Sequence, residues 1–236
     1  MGDDEGYRYE ATSVEGFVQQ LAVCYLRNRY WFYVLGEIPE GKDRSRVDER
    51  LLARYDVERS KWSKARSWRR GEPKVQYLRY SSTFVLLATE GDRGHPFFVE
   101  ERDNLRDARE RPIGFYGYSI GYKDGHPHVR IATSQFRELA QAFLNAALVA
   151  SGETLASRFR SLPFEPYGPV KIQLRRLLQR VNEVRRAAGL SRVPSEQLRT
   201  KRRTVRPFEP VDLAPSARRA RPIPHDEEDQ GASDRI

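Results

Sequence analysis

Apolar and polar positions alternate along the first half of the chain and recur at helical spacing along the second. Val14, Phe17, Val18, Leu21, Ala22 and Tyr25 keep a period near 3.6, which predicts a helix from a capping box at Thr12-Ser13-Val14-Glu15 to about Arg27. Tyr30–Leu35 is aromatic and β-branched, the composition of a buried strand. Helical segments follow at Arg46–Tyr55 and about Arg59–Arg69, stopped by Gly71 and Pro73. Val75–Tyr80 and Thr83–Thr89 read as a hairpin, and Phe97–Val99 as a short strand. Phe115–Tyr122 and Pro127–Ala132 form a second hairpin around Lys123-Asp124-Gly125.

Beyond Thr133 the pattern is helical. Ser134 is read as the cap of a helix to Val149, a second helix covers Glu153–Phe159, and a third opens at Pro169. On the third, Val170, Leu174, Leu177, Leu178, Val181 and Val184 make one stripe before Gly189. The expected fold is therefore α+β: an antiparallel sheet of hairpins with interspersed helices (1–133), a helical segment packed on it (134–204), and a disordered basic-then-acidic tail (205–236). The tail has too little apolar surface to offset the entropy of ordering it.

Charge sharpens this picture. Among 236 residues, 42 Lys and Arg stand against 33 Asp and Glu, a net charge of +9. Seven of the basic residues are lysine and 35 are arginine, the side chain whose planar fork grips phosphate. No run approaches the ~20 apolar residues of a membrane span. Cys24 is the only cysteine, which excludes a disulfide scaffold and zinc sites of paired cysteines. The acidic start Met1-Gly2-Asp3-Asp4-Glu5 lacks the apolar core of a secretory signal, so a cytoplasmic, nucleoid-associated location is expected, with no membrane partner.

Two basic clusters are candidate nucleic-acid contacts. The first comprises Arg59, Lys61, Lys64, Arg66, Arg69 and Arg70, with Trp62 and Trp68 interleaved. The second runs from Lys171, Arg175, Arg176 and Arg180 through Arg185 and Arg186 into an arm with Arg199, Lys201, Arg202, Arg203 and Arg206. They point to a basic nucleic-acid-binding protein, for DNA or RNA, of the accessory or replication type found in bacterial or mobile-element systems. A protein–protein adaptor whose basic arm meets an acidic partner is a further expectation from the same charges.

His126-Pro127-His128 sets two imidazoles on one face of a strand, and Tyr167-Gly168-Pro169-Val170-Lys171 sets a tyrosine before a helix with a lysine one turn on. These stretches resemble those of the HUH-type single-strand endonucleases of rolling-circle replication, relaxase and transposase proteins. The resemblance implies a metal-dependent single-strand DNA endonuclease. His126 and His128 would hold Mg²⁺ or Mn²⁺, Tyr167 would attack the scissile phosphate to form a phosphotyrosine, and Lys171 would assist. His95, Glu10 and Glu37 are the candidates for a third ligand.

Overall fold

β1 (Phe32–Glu37) lies near the middle of the molecule, because both of its faces are apolar and both are covered. The computed structural model describes residues 7–59 and 61–210. Within them β1 pairs antiparallel with β3 (Thr83–Ala88), β3 with β2 (Val75–Tyr80), and β1 on its other edge with the two-residue β4 (Arg106–Asp107). The segment Tyr9–Ala11 runs parallel beside β2 through Arg79.

On one face of this sheet, Phe32, Val34, Val75, Tyr77, Leu86 and Ala88 pack against α2 (Arg44–Arg54) and α4 (Pro96–Glu100). On the other, Tyr33, Leu78, Val85 and Leu87 join a larger core. That core holds α1 (Val14–Gln19) with the π turn Gln20–Tyr25 that continues it, and the inner face of a second sheet. The second sheet has the order β5 (Ile113–Phe115), β6 (Tyr118–Lys123), β7 (His126–Ile131). Helices α5 (Thr133–Ala146), α6 (Gly152–Arg160) and α7 (Gly168–Ala187) close the core. The arrangement is α+β, with two antiparallel sheets and seven α-helices among the described residues. No helix among them is long and apolar enough to cross a membrane.

Several local readings are corrected by backbone geometry. Phe97–Val99 is helical, because the His95 ring accepts from the Phe97 N–H and Pro96 supplies a preset first helical turn. Phe115–Tyr122 is broken into two strands by Tyr116 and Gly117, both at positive φ. Ser13 caps α1 by accepting from the Gly16 N–H, so the third helical position is a glycine and no glutamate bond answers it. α5 begins at Thr133 after Ala132, and Ser134 is inside the helix. Residues 205–210, assigned to the tail, fold back on α1. Gln19 exchanges two hydrogen bonds with Val205, and Thr12 donates to Glu209 O (2.6 Å). The disorder and the acidic run expected farther along, from 211 to 236, lie outside the described residues.

One charged pair is built into the layer joint. Arg79 Nε lies 2.9 Å from Asp48 of α2, and both side chains are buried. The Tyr77 hydroxyl donates to the same carboxylate (2.5 Å), and Glu10 reaches the guanidinium from outside (2.9 Å). Removing one partner of a buried pair strands the other charge in a poorly solvating interior. Asp48→Ala is therefore expected to cost about 3–5 kcal/mol of stability, measured by urea denaturation. A loss under about 1 kcal/mol, the range of an exposed ion pair, would show that the pair carries no such role.

Candidate nucleic-acid interface

α3 (Lys61–Arg69) has nothing larger than alanine among its aliphatic residues, so it has no apolar stripe to bury. Of its described side chains only Ser67 is buried. Its hydroxyl accepts from Arg59 (2.6 Å) and Arg70 (3.3 Å). Arg59 also binds Glu72 (3.1 Å) and pairs with Asp56, and Arg70 binds Glu72 (2.9 Å). The Ser67 hydroxyl, Arg70 and Arg59 together hold the Glu72 carboxyl down to about 2. Gly71, at φ +79°, lets the chain turn back so that the Glu72 N–H bonds Ser67 O. A polar bracket thus carries this helix, where the other long helices rest on apolar packing.

The consequence is exposure. Trp62 is 81% and Trp68 62% accessible, although indoles ordinarily fill cores. Arg66 and Arg69 are exposed and make no ion pair among the described residues, whereas Arg59 and Arg70 of the same predicted cluster are spent on the bracket. Lys61 and Lys64 lie on the same helix. Lys74, outside the predicted set, sits 5.0 Å from the Trp68 ring. Beside the bracket, Arg54, Asp56, Arg59, Glu72, Asp92 and His95 line a cleft of about 340 Å³. Its acids and arginines mostly pair with one another, and burial, then the Arg59 charge, depresses the His95 pKa. Only the capping geometry of His95 reveals this cleft, and that signal is too generic to read from sequence.

The second cluster divides. Arg175, Arg176, Arg180 and Arg186 point outward from α7 without acidic partners among the described residues. Arg185 is 2% exposed and donates to the carbonyls of Ala147, Ala150 and Ser191, so it ties the α5–α6 turn to the loop after α7 and faces no solvent. Arg199 binds Glu165 (3.2 Å) and the Phe164 carbonyl, and Arg202 stacks on Tyr167 (5.0 Å). Arg206 is exposed and pairs with Glu209. Of the arm, only Lys201 and Arg203 are exposed with side chains uncommitted among the described residues.

His126, His128 and Arg130 alternate along β7 with Pro127, Val129 and Ile131, which turn into the core. The imidazoles are therefore on the outer face. His126 Nδ1 lies 2.8 Å from Asp124 O, and burial followed by the charges of Arg130, Lys123 and His126 lowers the His128 pKa. Tyr167 lies elsewhere. Its segment meets Tyr118, which pairs with Ile131, while His126 pairs with Lys123 five residues away, or about 17 Å along the ladder. Tyr167 packs against the core, Arg202 covers its ring, and burial raises its pKa. Lys171 is bonded to Tyr167 only through the helix backbone.

The donor set does not fit a divalent cation. Glu10 is on Arg79, Glu37 accepts from Ser82, and His95 caps α4, so the two imidazoles stand among cations with no third ligand. No group of three His, Cys, Asp or Glu suited to a metal occurs among the described residues. The chain matches no protein-family model and none of the curated proteins.

His95 gives a pH prediction. Its folded pKa lies below the ordinary value near 6.5, so the stability tied to the neutral ring is present above that pH and is lost as pH falls through the folded value. His95→Asn keeps a capping acceptor and removes the titration. Its melting temperature should fall less than that of the wild type between pH 7 and 5. Parallel curves would remove His95 as the titrating group.

Proposed function

We propose that this protein binds nucleic acid, DNA or RNA, through two cationic surfaces, α3 and the outer face of α7. The observation that carries the reading is the division of the arginines. Those with acidic partners (Arg46, Arg54, Arg59, Arg70, Arg79, Arg109, Arg199 and Arg206) sit at joints or beside local carboxylates. Arg66, Arg69, Arg175, Arg176, Arg180 and Arg186 are exposed and pair with no acid among the described residues. Guanidinium groups held on regular helices, without internal counter-charges, suit a polyanion that supplies many phosphates in a row. α7 rests on the larger core and α3 on its polar bracket of Ser67, Arg59, Arg70 and Glu72, so each is treated as a separate footprint. Strand cleavage is not part of the reading, because no third metal ligand joins His126 and His128 among the described residues and Arg202 covers the Tyr167 ring.

The test is the salt dependence of binding. Each lost phosphate contact should lower the slope of log K against log salt by about 0.7–0.9. Arg175→Ala, Arg176→Ala and Arg180→Ala together should then reduce it by about two units. Arg185→Ala is unsuitable as a probe, since it unties buried carbonyls. Retention of the full slope would remove α7 from the interface. Salt-sensitive binding to acidic protein but to neither DNA nor RNA would replace the reading with the adaptor.

A further inference from the structure

The cations of α3 account for affinity to phosphate, but they leave its two indoles unexplained. An exposed tryptophan costs solvation, and a helix of nine residues carries two, each more than half accessible. Neither completes a core, and the only other tryptophan, Trp31, is half-buried beside Tyr122 and under Arg109. We infer that α3 takes unpaired nucleotides, with bases stacking on Trp62 and Trp68 and phosphates meeting Arg66 and Arg69. The inference rests on the nucleic-acid reading above and narrows it to single-stranded substrate.

Four features favour this occupant. A base in a duplex is already stacked on both faces and offers an indole only its edge, whereas an unpaired base offers a whole face. Lys74 stands 5.0 Å from the Trp68 ring, and a cation on one side of an indole leaves the other for a base. Six residues of helix separate the two indoles by about 9 Å along the axis, well beyond the 3.4 Å rise of stacked nucleotides, so they hold non-neighbouring bases of one strand. Arg66 lies between them and Arg69 directly follows Trp68, where phosphates of the same strand would pass.

An anionic membrane is the other surface that attracts tryptophan and arginine. A helix lying in that interface needs its apolar groups on one side, at a depth they share. Trp62 and Trp68 are about 120° apart around the axis, with only Ala65 and no larger aliphatic residue to complete a face. Two rings without a larger aliphatic face between them bury little apolar surface in a bilayer. A single strand has no such requirement, because its bases swivel independently.

The experiment uses the full chain. Binding of labelled oligo(dT), oligo(U) and a mixed-sequence duplex is followed by anisotropy, with tryptophan emission recorded in the same titrations and with phosphatidylglycerol vesicles as a further arm. The single strands should quench the emission and bind at least tenfold tighter than the duplex. Trp62→Ala with Trp68→Ala should weaken single-strand binding by about tenfold or more while leaving duplex binding within twofold, and the pair of Trp→Phe changes should restore most of the loss. Both side chains are exposed, so circular dichroism of the variants should match the wild type. Equal affinity for duplex and single strand, unmoved by the alanine changes, would overturn the stacking inference and leave the cationic reading standing. Absence of binding to any nucleic acid would overturn both, and quenching by vesicles alone would reassign α3 to membranes.

Discussion

A sheet with two apolar faces has to be covered twice, and that requirement organises this protein. β1 and β3 alternate Phe32, Val34, Leu86 and Ala88 on one side with Tyr33, Val85 and Leu87 on the other. Neither set survives in water, so α2 and α4 close one face while α1, the second sheet and α5–α7 close the other. The second sheet differs, being buried on one side only. Its free side is where the strand alternation sends His126, His128 and Arg130. The three-layer stack also distributes charge. The basic side chains of α7 ride on the larger core, while those of α3 stand on the polar bracket of Ser67, Arg59, Arg70 and Glu72.

Arginine has two opposed uses in this molecule. Arg79 and Arg185 are among its most buried polar side chains, and each is surrounded by acceptors, the Asp48 and Glu10 carboxylates with the Ser81 carbonyl for one and three backbone carbonyls for the other. Five fixed donors make arginine able to tie several loops at once, which lysine with its single ammonium does less well. Arg175, Arg176 and Arg180 meet no such acceptors among the described residues. An abundance of arginine in sequence is therefore ambiguous, and position relative to carbonyl ends and buried acids separates the two uses.

This explains what the sequence disclosed. The β2–β3 and β6–β7 hairpins, the stripe of α7 and its Gly189 stop were legible, because alternation, helical period and turn residues are local properties. Phe97 and Phe98 were misread because two adjacent aromatics look like a strand until His95 and Pro96 are seen to start a helix. The α3 cluster was legible in type but not in detail. Nothing in Lys61–Arg69 distinguishes a tryptophan under the helix from one above it. The answer comes from Glu72, which recruits Arg59 and Arg70 and so fixes the helix by its polar side. Arg199 and Arg202 were read as a free arm for the same reason: their partners Glu165 and Tyr167 are more than thirty residues earlier.

The return of residues 205–209 to α1 bears on the connectivity of the chain. Thr12 donates to Glu209 O and its N–H to Pro207 O, Gln19 clasps Val205, and the Gly16 Cα lies so close to Pro207 that a methyl there would meet its backbone at 3.0 Å. Beginning and end of the fold are thus side by side, held by backbone bonds across nearly two hundred residues of sequence. The polypeptide is topologically close to a ring. A linker from Glu209 to Tyr7, which keeps the Tyr7–Ala11 segment beside β2, with the chain opened at the Asp124-Gly125 turn, would leave both sheets and both cores in place.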